Sequence, residues 1–298
     1  MTRVCPQIKG GTPFREDPMR RAFPVTPAAS AVLVLLLGAG LPFGHAASAQ
    51  TALDGFRDNG QCPRCDLRLA EMRGIAIENA NLSKAILREA DLKEASLVEA
   101  DLSGADLRRA EVERADLSRA NMTGASMRGV DLEKAILAGA QFNNADLRDA
   151  DMAESDLTGA SLADADLRFA LLVRVRADGA SFHGAKMEAV NLERAELSGA
   201  DFTGARLKYA DFDRIEAEGA NFRDADLTGA HFSSANLTGA DLTGAQLEGT
   251  LFRRTRLVGA DLTGARGLDR ARMIGACGDA STKLPDGMAI EVCDDLRN

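Results

Sequence analysis

The chain has 298 residues, 27% of them charged and 45% hydrophobic, with no Trp, one Tyr and a formal net charge of −9. That is enough apolar material for a packed core, built almost entirely from Ala, Leu and Phe. The acidic balance argues against bulk nucleic-acid binding and leaves room for a local basic patch.

Residues 1–49 differ from the rest. Arg20 and Arg21 precede the apolar run ASAVLVLLLGAGLPF (residues 29–43), and the stretch closes on Ala47-Ser48-Ala49. A basic segment, a short apolar core and a small-residue end are the three parts of a secretory signal peptide. The strongly apolar part falls well short of the roughly 20 residues that a membrane-spanning helix needs. Cleavage between Ala49 and Gln50 is therefore expected, with export to the periplasm or the exterior. An uncleaved inner-membrane anchor is the alternative. Met19 would open an ordinary leader, and RRAF fits a twin-arginine signal poorly because of its flanking Met19 and Pro24. Loss of residues 1–49 would remove five bases and two acids and leave a net charge of −12. It would also remove Cys5 and leave Cys62, Cys65, Cys277 and Cys293, an even count that reads as disulfides in an exported chain.

After a short cap segment, residues 50–64, a strict period takes over from Cys65 to Ala265. Residues numbered 5n are small or β-branched, mostly Ala, with Val130, Ser155, Val175, Ile215 and Thr250 as variants. A large apolar residue, usually Leu, stands two places later, and Asp, Asn, Ser or Glu most often lies between them. The unit A-[D/N]-L-x-x recurs about forty times. Five matches neither the 3.6 period of a helix nor the 2.0 period of a free strand. Each unit turns one corner and buries one Ala and one Leu.

Phrases such as ANLTGADLTGAQLEG (residues 235–249) resemble the pentapeptide-repeat family, and the resemblance covers residues 65–265. It implies an all-β solenoid: a right-handed quadrilateral parallel β-helix of about ten coils, stacked at about 4.8 Å. Four pentapeptides would make a twenty-residue coil. The sequence supports that length separately, because Phe182, Phe202 and Phe222 are twenty apart, as are Phe212, Phe232 and Phe252. Two three-ring stacks on opposite interior walls are expected. Ala177 and Ala217 stand where Leu belongs and would leave voids, but the preceding small positions are enlarged to Val175 and Ile215. Glycines at 139, 159, 179, 199, 219, 239 and 259 mark one edge, where the corner calls for positive φ.

Both ends of such a rod expose core and unpaired backbone, so they need caps. GQCPRCDL supplies the first, with Cys62 and Cys65 pointing inward as a disulfide or as buried thiols. No βαβ pattern accompanies this CxxC, which argues against thioredoxin-like redox chemistry. A four-cysteine zinc site needs all four thiolates around one ion, and here the two pairs belong to opposite ends. In the second cap, residues 266–298, GLDRARMIGACGD reads as a short helix with Leu268, Ile274 and Cys277 facing the last coil. TKLPDGMAIEVC then folds back, and a Cys277–Cys293 disulfide would be worth about 3 kcal/mol by the chain-entropy model.

No catalytic constellation is legible. His183 and His231 fall on different walls, the acids repeat along whole walls, and no phosphate-binding loop is present. The expected protein is not an enzyme and needs no cofactor or metal. The informative residues are the two outward ones that close each unit. Arg68, Arg88, Arg108, Arg128, Arg148 and Arg168 are twenty apart and form one column, ended by Glu188. Arg174, Arg194, Arg214 and Arg254 form a looser second column. Asp66, Asp106, Asp146 and Asp166 share the first wall, so the column can be a self-neutralising set of surface ion pairs, each worth about 0–1 kcal/mol. Alternatively, the ladder recognises an extended anion through its guanidinium forks, since Ile86 and Ser126 deny two rungs a local acid.

The leading expectation is an exported, non-enzymatic scaffold or binding rod, monomeric or weakly dimeric. Its partner would be a protein or an anionic envelope polymer, with no small-molecule substrate or nucleic acid implied. The resemblance also implies a rival, because cytoplasmic family members mimic DNA and bind type II topoisomerases. The acidic charge suits that role, whereas the leader, the arginine ladder and the disulfide-tied end oppose it. A CxxC redox or metal-binding protein is the third alternative.

Overall fold

A computed structural model describes residues 44–285 and 287–293. The apolar and basic parts of the leader, and Met19, therefore lie outside the described residues.

The local rule of the chain is a tight corner every five residues. The residue numbered 5n+4 takes a left-handed conformation whether or not it is glycine: φ is +69° at Gly139, +57° at Arg174 and +58° at Tyr209. The glycine column is thus one of four equivalent edges, and positive φ does not single it out. Each corner is closed by the following small residue, as where Ala85 N–H donates to the Leu82 carbonyl at 3.0 Å. Only residue 5n+1 is left as straight chain. It pairs in parallel with the residue twenty further on, from Gln61↔Asn81 through to Gln246↔Arg266. One bridging residue per wall is too short to form a named strand, so the solenoid is built from isolated bridges. Its coil is twenty residues long.

Backbone donors are accounted for in a fixed pattern. Three amides per unit reach neighbouring coils: Asp101 N–H donates back to Ala80 at 2.8 Å, Leu82 forward to Asp101 at 2.8 Å and Lys84 forward to Ser103 at 2.9 Å. The fourth closes the corner. The fifth, at 5n+3, is taken where the bridging residue is Asp or Asn by that side chain two residues before it: Ser103 N–H donates to Asp101 Oδ1 at 3.0 Å and Thr123 N–H to Asn121 Oδ1 at 3.1 Å, whereas Ser198 and Ser233 N–H donate to Asp178 and Asp213 of the preceding coil. The Asx turn within the unit is the physical reason that Asp and Asn recur at the second position.

Residues 5n and 5n+2 face inward and form one continuous core. Phe182, Phe202 and Phe222 stack at 4.8 Å with nearly parallel planes. Phe212, Phe232 and Phe252 stack at 4.7 and 5.3 Å, and the two stacks meet edge to face at 5.7–6.0 Å. Val175 with Ala177, and Ile215 with Ala217, are fully buried, as the exchange of volume requires. The buried hydroxyls are satisfied: Thr250 donates to the Leu227 carbonyl and Ser155 to the Met152 carbonyl, both at 2.8 Å.

At the N-terminal end a helix, α1 (Gly44–Asn59), covers the first coil with Leu53 and Phe56 buried. Ala47, Ala49 and Gln50, the expected cleavage residues, lie within it, and both buried residues follow that point. Cys62 and Cys65 form a disulfide beneath it.

The C-terminal end differs from expectation. In place of a helix there is a three-residue 3-10 turn, Arg270–Arg272, and Ile274 is 60% exposed instead of facing the last coil. Leu268, Met273 and Ala276 do the packing. The cause is the open ladder. Phe252, Arg254 and Leu257 donate their N–H groups to the carbonyls of Arg272, Ile274 and Cys277 at 2.7–2.9 Å, and a helix would keep those acceptors for itself. Pairing therefore continues past Ala265 with Arg256↔Cys277 and Asp261↔Lys283. A last parallel pair, β1 (Cys277–Gly278) on β2 (Glu291–Val292), is tied by the Cys277–Cys293 disulfide.

Ile215→Ala beside Ala217 should leave an unfilled cavity and cost about 2–5 kcal/mol in urea denaturation. A cost below about 1 kcal/mol would mean that the pair does not compensate for the missing leucine.

Candidate functional site

The outward residues 5n+3 and 5n+4 are the part of each unit that the fold leaves free, and the six-arginine column stands on them. Arg68, Arg108 and Arg168 each grip the aspartate two residues earlier with two bonds, at 2.5–2.8 Å. Arg148 holds Asp146 in the same way at 2.6–2.7 Å, with Asp166 of the next coil 3.8 Å away. Ile86 and Ser126 do not leave free rungs. Arg88 reaches forward to Asp106 at 2.5 Å and Arg128 to Asp149 at 2.9 Å, because the next coil lies within reach of a guanidinium. Glu188, at the end of the column, pairs with Arg206 at 2.5 Å.

The ladder is thus compensated along its whole length. Asp106 sits between two guanidinium groups and is held down at about 2, chiefly by the Arg108 hydrogen bond, against the upward push of desolvation and with help from Arg88. The Asp146 carboxyl is also lowered, first by Arg148, and the arginines are raised in return.

The second column is less regular. Arg174 meets Glu154 at 3.4 Å, Arg194 meets Glu193 at 3.6 Å, and Arg214 also pairs with Glu193. Arg254 and its neighbour Arg253 form no ion pair among the described residues. Of the other outward arginines, Arg73 pairs with Glu94 at 2.6 Å and Arg223 with Asp241 at 2.7 Å.

His183 lies in an outward slot, whereas His231 lies in the bridging row between Asp211 and Leu251. The structure does not bring them together. No group of three or more His, Cys, Asp or Glu residues suited to a metal ion occurs among the described residues. No described helix is long and apolar enough to cross a membrane.

One feature lay outside the charge pattern. Leu69, Phe169 and Tyr209, all 61–69% exposed, share one edge, since their numbers differ by multiples of twenty. The Tyr209 ring lies over Gly229, where a Cβ would come within 2.7 Å of it. The signal was present in the sequence as three apolar residues in the second outward slot.

The fold defines a repeat solenoid of stacked twenty-residue coils. The pentapeptide-repeat family model, "Pentapeptide repeats", matches in overlapping copies across residues 77–277, about two-thirds of the chain. The chain belongs to the pentapeptide-repeat family, and membership implies the right-handed coil. Among solved structures it is similar to HetL, a pentapeptide repeat protein involved in heterocyst differentiation regulation from the cyanobacterium Nostoc. That match has 29% identity, 70% of this chain and 89% of that one covered, and a TM-score of 0.41. QnrB1, a plasmid-mediated fluoroquinolone resistance protein, matches at 23% identity over 69% of this chain and 92% of its own, with a TM-score of 0.28. A thylakoid-lumen pentapeptide repeat protein of Arabidopsis thaliana matches at 23% identity over 56% of this chain and 75% of its own, with a TM-score of 0.25. No curated protein sequence matches the chain.

The lowered carboxyls have a consequence for stability. A group depressed in the folded state stabilises it above its ordinary value and loses that contribution as pH falls towards the folded one. The melting temperature should hold at neutral pH and fall between 3.8 and about 2, the ordinary and folded values of Asp106. Asp106→Asn, which keeps an acceptor for the turn and loses the charge, should melt lower at pH 7 and show a shallower acid slope. An unchanged slope would remove Asp106 from the explanation.

Proposed function

We propose that the chain is an exported, non-enzymatic binding rod of about ten coils, which presents flat walls to a macromolecular partner in the cell envelope. The observation that supports this most is the pair of disulfides, one at each end of the solenoid. Such bonds persist in oxidising compartments and are rare where thiols are kept reduced. The leader-like residues 1–49 point the same way. In this reading the arginine ladder serves chiefly to tie coils together: Arg88 and Arg128 each pair with a later coil, and exposed pairs of this type contribute about 0–1 kcal/mol each. Contact with an extended anion through the ladder would require breaking these pairs, which makes the ladder a secondary contact at most.

The acidic charge would suit the alternative of a DNA mimic that binds a type II topoisomerase. A wall whose arginines and aspartates cancel breaks the continuous negative face which that role needs.

Cell fractionation with intact-mass measurement tests the proposal. A periplasmic or secreted species beginning at Gln50, four hydrogens lighter than its reduced mass, is expected from the two disulfides. A cytoplasmic, full-length, reduced protein would contradict it and bring the DNA-mimic alternative forward.

A further inference from the structure

One corner near the C-terminal end is built unlike the ladder. Ser233 and Ser234 fill the two outward slots of one unit. The units stacked on either side carry Asp213 with Arg214, twenty residues earlier, and Arg253 with Arg254, twenty later. The short serine pair leaves a notch of about 180 Å3, lined by these six residues.

The ladder fixes the walls of the notch. Arg214 N–H donates to the Ser233 carbonyl at 2.9 Å, Ser234 N–H to Arg253 at 2.7 Å and Arg254 N–H to Ile274 at 2.8 Å. The stem of Arg254 passes beside Gly275, with its Cγ 3.6 Å from where a Cβ would stand.

The charges are what separate this corner from the rest of the surface. All six ladder arginines are committed to carboxylates, whereas Arg253 and Arg254 are exposed and in no ion pair among the described residues. Arg214 is partly committed to Glu193. Neither serine hydroxyl has a hydrogen-bond partner among the described residues. Among the described residues the one carboxylate lining the notch is Asp213, which already accepts from Ser233 N–H at 2.7 Å. Two guanidinium forks without an ion pair there and two hydroxyl donors line the notch with a single described carboxylate.

We propose that this notch binds a tetrahedral oxyanion, a phosphate or sulfate group, with Arg253 and Arg254 as charged donors and Ser233 and Ser234 as neutral ones. Planar guanidinium forks match such oxygens, and charge-assisted bonds are the strong ones. The group can be a free ion or the phosphate of a lipid headgroup, because the recognising chemistry is the same. The inference concerns this corner alone and does not depend on export.

The test uses the folded chain with inorganic phosphate in calorimetry, and with phosphatidylcholine vesicles with or without phosphatidylglycerol in cosedimentation. The variants are R253Q/R254Q, S234D, which places a carboxylate in the notch while keeping both arginines, and the ladder control R108Q/R148Q. Binding of phosphate or of the anionic vesicles should weaken by at least about tenfold in both notch variants and persist in the control. Dependence on phosphatidylglycerol identifies the lipid source, and phosphate binding without vesicle binding identifies the free ion. The proposal is overturned if neither probe binds, if the notch variants bind like the parent, or if the ladder control loses as much. Melting curves confirm that each variant is folded, and S234D keeps the result decisive if R253Q/R254Q is not.

Discussion

The parallel hydrogen-bond ladder between residues twenty apart is the constraint on which everything else in this protein rests. It forces a corner every five residues, and each corner demands a left-handed residue. Among the described residues, twenty-four that are not glycine accept that conformation, although it costs an L-residue about 1–2 kcal/mol. They can do so because three amides per unit bond to adjacent coils, and because, where the bridging residue is Asp or Asn, its side chain satisfies the donor that the corner would otherwise strand. Each coil is thus completed by its neighbours, as in other solenoids, and the ends are where the arrangement is incomplete. Helix α1 closes one end. At the other the chain gives up a helix to supply carbonyls to the last coil.

Stacking at this spacing also governs the electrostatics. Side chains on neighbouring coils are close enough for an arginine to choose between an aspartate in its own coil and one in the next, so a column of like charges is neutralised by whichever acid lies near. Arg88 and Arg128 show the second choice, Arg108 and Arg168 the first. Among the described residues, uncompensated charge survives where the neighbouring coil has no acid to offer. Arg253 and Arg254, beside two serines, are such a place.

Much of the fold was legible in the chain. The five-residue period fixes which residues face inward, and the Phe182 and Phe212 series give the coil length without any structural input. The exchange of Leu for Ala at 177 and 217, matched by Val175 and Ile215, follows from volume alone. Three features were not legible. Among its described side chains helix α1 buries only Leu53 and Phe56, two residues that set too little periodicity to mark a helix in the sequence. The helical pattern around Ile274 was overridden by unsatisfied donors on the last coil, a demand that is invisible in the local sequence. The partners of Arg88 and Arg128 are 18 and 21 residues away and appear only when the coils are stacked. The surface was the least legible part, because the repeat does not dictate it.

Residue-resolved amide hydrogen exchange tests the ladder most directly. In the middle coils, the amides at 5n+1 and 5n+2, bonded between coils, should exchange slowest. Those at 5n+3, which have at most an Asp or Asn side chain as acceptor, should exchange markedly faster, in a pattern that repeats every five residues from Gln61 to Arg266. Uniform protection, or protection repeating with a helical period, would contradict the solenoid and everything inferred from its stacked walls.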